Sequence, residues 1–139
     1  LMGASVPSPY RSDPARIIIA DDHALVRDGL RLMLDGVPDI LIVGEAASGQ
    51  ETVDLAHRLQ PDLILLDLRM PGLDGIGVTR IIKQSRPAVQ VLFLTMFENP
   101  DTRSAAREAG ASGYLCKDVS MSELVTAIHQ VLQGKVLFD

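Results

Sequence analysis

Residues 63–75 read "LILLDLRMPGLDG". Four apolar residues without alternation, Leu63 to Leu66, run directly into Asp67, and the chain then turns through Met70, Pro71 and Gly72. A short continuous apolar run bounded by turn residues is the pattern of a strand buried on both faces, as in the middle of a parallel sheet. Such a strand has no solvent-facing side for a charge, so Asp67 marks the point where the chain leaves the core.

The same kind of run recurs on either side. "RIIIA" (16–20), "DILIVGEA" (39–46), "VQVLFL" (89–94) and "GYLC" (113–116) read as four further strands, the second weaker and suited to an edge. Segments of helical period separate them. The first places Leu25, Val26, Leu30, Met33 and Leu34 on one face and stops at Gly36. Others run from about Gln50 to Leu59, closed by Pro61, and from about Asp74 to Ser85. The segment Pro100 to Ala109, with Asn99 as N-cap, carries mostly Ala, Arg, Ser and Thr and has little apolar surface with which to dock. The last helix opens with Ser120 and Glu123 as a capping box and carries Met121, Leu124, Val125, Ile128, Val131 and Leu132 as an apolar stripe. Strict alternation of five strands and five helices predicts an α/β fold. The expected form is a doubly wound five-stranded parallel sheet of the flavodoxin-like order 2-1-3-4-5.

Composition narrows the function. At 139 residues, 47% hydrophobic and 22% charged, the chain is one globular domain, with no apolar run near the roughly 18 residues that span a bilayer. A formal charge of −5 argues against this segment gripping a phosphate backbone itself. One cysteine, Cys116, excludes an internal disulfide and a cysteine metal cluster, fits a reducing cytoplasmic setting, and reads as a small buried hydrophobe. Residues 1–14, rich in Ser, Pro and Gly, read as a flexible leader, open to being in part an expression scar. The ordered domain is expected over 15–135, with 136–139 opening a linker.

In open α/β sheets the crevice lies beyond the carboxyl ends of the strands. There the first strand delivers Asp21 and Asp22, the third Asp67, the fourth Thr95 and the fifth Lys117. Crowded carboxylates repel one another unless a cation compensates. Three acids with no His or Cys in the set suit a hard divalent ion, magnesium above all and manganese as a second choice. Asp67 can then act as a carboxylate nucleophile toward phosphorus, with Thr95 donating its hydroxyl to a phosphoryl oxygen and Lys117 supplying a point charge.

The set "ADDH" (20–23), "LLDLRMPGLDG" (65–75), "FLT" (93–95) and "GYLCKD" (113–118) resembles the CheY-like receiver domain of bacterial two-component response regulators, over about Ala15 to Gly134. "ADDHALVRDGL", "LTMFEN" and "LCKDVS" resemble more closely the NarL, FixJ and LuxR-type subfamily, whose members carry a C-terminal helix-turn-helix DNA-binding domain. The resemblance implies that Asp67 accepts a phosphoryl group from a sensor histidine kinase. It implies that Asp21, Asp22, Asp67 and the backbone carbonyl of Arg69 hold magnesium, and that Thr95 and Tyr114 form a switch pair. A signalling switch follows, not a metabolic enzyme: one that promotes phosphorylation and dephosphorylation only at its own Asp67, dimerises when phosphorylated, and reaches DNA through a domain outside this chain, with no membrane partner.

Two positions depart from the wider receiver pattern. Met96 stands where many receivers have a small residue, narrowing the way to Asp67 for water and small phosphodonors. Asp118 stands where many have proline, so a cis Lys117–Asp118 bond would cost about 3 kcal/mol more than trans. Simpler readings stand beside these: Asp22 as a helix cap, Tyr114 as a core aromatic, and His23, His57 and His129 as helix-surface residues. The rival functions are a haloacid dehalogenase-type phosphohydrolase and a phosphorylation-independent pseudo-receiver. The hydrolase pattern needs a second acid two residues after the nucleophile, where this chain has Arg69. An FMN binder is disfavoured, because these carboxylates would repel a phosphate lacking a metal.

Overall fold

The computed structural model describes residues 13–96 and 99–138. The expected leader therefore lies outside the described residues except for Asp13 and Pro14, as do Phe97 and Glu98 of "LTMFEN". The elements follow in the order β1 (Ala15–Ala20), α1 (Ala24–Asp35), β2 (Ile40–Ala46), α2 (Gly49–Leu59), β3 (Leu63–Leu66), α3 (Gly75–Ser85), β4 (Gln90–Thr95), α4 (Pro100–Ala109), β5 (Gly113–Cys116) and α5 (Met121–Leu132). All four strand pairings are parallel, in the order β2-β1-β3-β4-β5, which is the expected topology.

Every residue of β3 is buried, because alternate side chains serve opposite layers. Ile64 and Leu66 join Ile18, Val91 and Phe93 beneath α2, α3 and α4. Leu63 and Leu65 join Ile17, Ile19, Leu92 and Leu94 beneath α1 and α5. Burying each such side chain contributes about 1.5–3 kcal/mol, so the central strand is the best anchored element of the sheet. A charge placed at Leu65 would sit in that layer without a partner and break it.

The helices differ in how they dock. In α5 the capping box is formed, with Ser120 Oγ accepting from Glu123 N, and Leu124, Ala127, Ile128 and Val131 are buried. Its Met121 instead faces out, 47% exposed, because the stripe rotates away from the sheet at the first turn. In α1, Leu30 and Leu34 are buried, but Leu25 is 84% exposed and lies off the expected apolar face. Gly36 does end α1, yet at φ −87°, a conformation open to any residue. The α4 helix docks through Ala106 and Ala109, and Asn99 Oδ1 accepts from the amides of Asp101 and Thr102 as expected of its N-cap. Two alanines bury little area, so tertiary packing holds this helix weakly.

Beyond α5 the chain turns at Gly134 (φ 93°) and runs back along β5. Leu137 forms a parallel bridge with Gly113, and Phe138 is buried. The stretch expected to open a linker thus packs on the sheet edge as far as Phe138. Among the described residues, no helix is long and apolar enough to cross a membrane.

Candidate functional site

Register alone brings two of the acids together. Ala20 pairs with Leu66, so the next residues, Asp21 and Asp67, leave adjacent strands side by side, and Asp67 N donates to the Ala20 carbonyl at 2.9 Å. Both carboxylates are buried. Across the sheet Thr95, fully buried at the end of β4, accepts through its backbone carbonyl from Lys117 N at 2.9 Å. That bond sets the root of the Lys117 side chain, whose Nζ lies 2.6 Å from Asp21 Oδ2 and 3.5 Å from Asp67 Oδ2.

The turn after β3 is built to let the site open. Gly72 sits at φ 74°, the left-handed region that glycine enters at no steric cost. Asp74 then caps α3 by accepting from Gly77 N at 2.9 Å. At Gly75 a Cβ would lie 2.6 Å from the Phe93 ring and 2.7 Å from the Asp67 carbonyl. Glycine there lets the start of α3 close against the backbone of the central aspartate.

Burial and the neighbouring Asp21 charge push the Asp67 carboxyl above its ordinary value; Lys117 and a hydrogen bond from Leu68 N–H pull in the other direction. The balance leaves Asp67 in want of more positive charge. Asp21, Asp22, Asp67 and His23 present ligand atoms that all lie within 4.8 Å of one another. The oxygens of three acids are a donor set for a hard divalent cation, and Asp22, partly open to solvent, leaves room for water in its shell.

The expected residues Asp21, Asp22, Asp67 and Lys117 are therefore brought together. Thr95 is tied to Lys117 through the backbone, and Arg69, exposed, lies two residues past Asp67 on the turn. Tyr114 is buried, its ring 6.1 Å from that of Phe93 and beneath the guanidinium of Arg103 at 5.1 Å. No peptide bond among the described residues is cis, so Lys117–Asp118 is trans. Cys116 is only half-buried, because β5 lies at the sheet edge.

Two residues with a part in the site escaped the sequence reading. His23, not Asp22, is the N-cap of α1, and its Nδ1 lies 3.2 Å from Asp21 and 3.0 Å from Asp22. Its position directly after two acids was the available signal. Arg27 donates from Nη1 to the Asp21 carbonyl at 2.6 Å while its Nε reaches Glu45 of β2 at 3.3 Å. It fixes the end of β1, and no local pattern announces that.

The sequence model of the response regulator receiver domain matches residues 17–129. The chain belongs to that family. This receiver is 35% identical over 127 residues to the nitrate/nitrite response regulator protein NarL of Escherichia coli (strain K12), covering 91% of this chain and 59% of NarL. It is 38% identical over 124 residues to the response regulator protein VraR of Staphylococcus aureus (strain NCTC 8325 / PS 47), covering 89% and 59%. A crystal structure of a LuxR-family two-component response regulator from Aurantimonas sp. SI85-9A1 superposes with a TM-score of 0.85 at 39% identity, covering 90% of this chain and 89% of that one. The receiver is thus of the NarL and LuxR type, and it spans about three fifths of the curated relatives' length. Receivers of this family are signalling switches, which sets the phosphohydrolase reading aside.

Proposed function

We propose that this receiver takes a phosphoryl group onto Asp67 from the phosphohistidine of a sensor histidine kinase in the cytoplasm. The observation that carries the reading is the single ammonium of Lys117 shared between two buried carboxylates, at 2.6 and 3.5 Å. An oxygen of Asp67 attacks phosphorus, the P–N bond breaks, and its electron pair stays on the imidazole nitrogen. Asp21, Asp22, Asp67 and the Arg69 carbonyl would hold magnesium, or manganese, which when bound neutralises charge on the phosphoryl oxygens. Lys117 exchanges the Asp21 carboxylate for a phosphoryl oxygen, and the Thr95 hydroxyl donates to another. Attack of water on the same phosphorus reverses the modification, so the receiver promotes both reactions at Asp67 alone.

Thr95 and Tyr114 carry the change outward: the hydroxyl moves toward the phosphoryl group, the ring follows, and α4 shifts. Taking the population from mostly inactive to mostly active needs about 5 kcal/mol of differential stabilisation. Several charge-assisted hydrogen bonds to one phosphoryl group reach that scale. The output is dimerisation and control of transcription through a helix-turn-helix DNA-binding domain C-terminal to these residues. Leu25 and Leu32, seven residues apart on α1 and 84% and 80% exposed, support the α1 face as a dimer surface.

Incubation with acetyl phosphate or phosphoramidate, and separately with the phosphorylated kinase, tests the reading by intact mass. One phosphoryl group should be gained, and none by Asp67→Ala or in metal-free buffer. Absence of transfer from every donor, the cognate kinase included, would refute it.

A further inference from the structure

The segment after α5 touches the proposed switch more closely than anything in its sequence announces. Gly134 reverses the chain, Leu137 N donates to the Ser112 carbonyl at 2.7 Å, and Tyr114 N donates to the Leu137 carbonyl at 3.1 Å. Gly113 permits this approach, since a Cβ there would lie 3.2 Å from both the Cβ and the carbonyl of Leu137. The segment thereby covers part of the outer edge of β5, whose backbone would otherwise face solvent. Two arginines of α4 clasp its end. Arg103 donates from Nη1 to the Phe138 carbonyl at 2.8 Å while its guanidinium lies over the Tyr114 ring at 5.1 Å. Arg107 lies over the Phe138 ring at 5.7 Å, and that ring is buried in the core layer that holds Tyr114, Ala106 and Ala111.

We propose that Gly134–Phe138 is a latch whose docking depends on the positions of Tyr114 and α4, so that a change at Asp67 loosens it and frees the chain beyond Phe138. The proposal rests on the phosphoacceptor reading for its trigger. Its physical basis is that one side chain, Arg103, contacts the Tyr114 ring and the latch carbonyl together. The weakly packed α4 that carries Arg103 cannot shift without stretching one of those contacts. Binding energies then couple in both directions: if phosphorylation loosens the latch, removal of the latch strengthens phosphoryl binding by the same factor.

Hydrogen exchange on the intact protein, with and without beryllofluoride and magnesium, measures the coupling. Peptides covering α4 and 134–138 should exchange about tenfold faster with beryllofluoride bound, while β3 is unchanged. By reciprocity Phe138→Ala, and independently Leu137→Pro, should tighten beryllofluoride binding by a similar factor of about ten. Faster exchange in α4 with the latch unchanged would overturn the proposal, as would unaltered beryllofluoride affinity in both variants. Failure of beryllofluoride to bind, seen as the absence of a bound fluorine resonance, would remove the phosphoacceptor reading and the latch's trigger together. That outcome is distinct from a latch that ignores an occupied site.

Discussion

Replacing Lys117 by alanine should make the stability of this receiver depend steeply on pH. In the native site one ammonium lies 2.6 Å from Asp21 and 3.5 Å from Asp67, and both acids are buried. Without it the two carboxylates face each other in a poorly solvated crevice, and the cheaper outcome is for Asp67 to take up a proton. Bringing a carboxylic acid of ordinary value 3.8 to its neutral form at pH 7 costs about 4 kcal/mol, which bounds the loss from above. Removing one member of a buried ion pair costs about 3–5 kcal/mol, so the expected loss at pH 7 is about 3 kcal/mol. The sign of the pH dependence follows from proton counting. Above pH 5 the unfolded variant has both acids ionised, so wherever the folded variant holds its extra proton on Asp67 its stability falls with rising pH, by up to about 1.4 kcal/mol per unit. The decline ends once Asp67 ionises in the folded state. Urea denaturation of both proteins at pH 5, 6, 7 and 8 measures this. Magnesium should stabilise the variant more than the native protein, because it restores the missing positive charge. A destabilisation that is constant across this range would show that Lys117 contributes packing alone, and the electrostatic account of the site would be wrong.

Asp67→Asn should abolish phosphoryl acceptance and raise stability at neutral pH. Because the folded Asp67 titrates above 3.8, the native protein loses stability as pH rises from 3.8 through that raised value, and thermal melts of the Asn variant should lack that decline. Gly75→Ala forces a Cβ to within 2.7 Å of the Asp67 carbonyl and the Phe93 ring, and should cost about 1–3 kcal/mol in chemical denaturation together with slower phosphorylation. Unchanged stability would show that α3 can step back freely. Met96→Ala should increase both acetyl phosphate uptake and loss of the phosphoryl group by about an order of magnitude, a barrier change of about 1.4 kcal/mol. Equal rates in the two proteins would show that Met96, 65% exposed, does not limit access to the site.

Much of this molecule is legible in one dimension. "LILL" specifies a doubly buried strand because its lack of alternation leaves no polar face, and the observed β3 is buried at all four positions. The acids at the strand ends could be grouped before any coordinates, because parallel strands in an α/β sheet open their carboxyl ends toward one edge. The capping box at Ser120 and the polar character of α4 were equally local facts. Helix faces were less legible: Leu25 and Met121 keep the apolar period of their helices yet face out, because period identifies a stripe and not where the sheet beneath it ends.

Sequence by itself determined the order of elements and the set of chemical groups at the crevice, since both follow from hydrophobic period and from residues placed directly after it. Tertiary structure decided the rest. It decided that Lys117, 96 residues from Asp21, is shared by two acids, and that Arg27 holds the end of β1. It decided that His23 joins the acids while Phe138 returns to the core layer that holds Tyr114. Such relations depend on distances across the sheet, and no local run of residues encodes them.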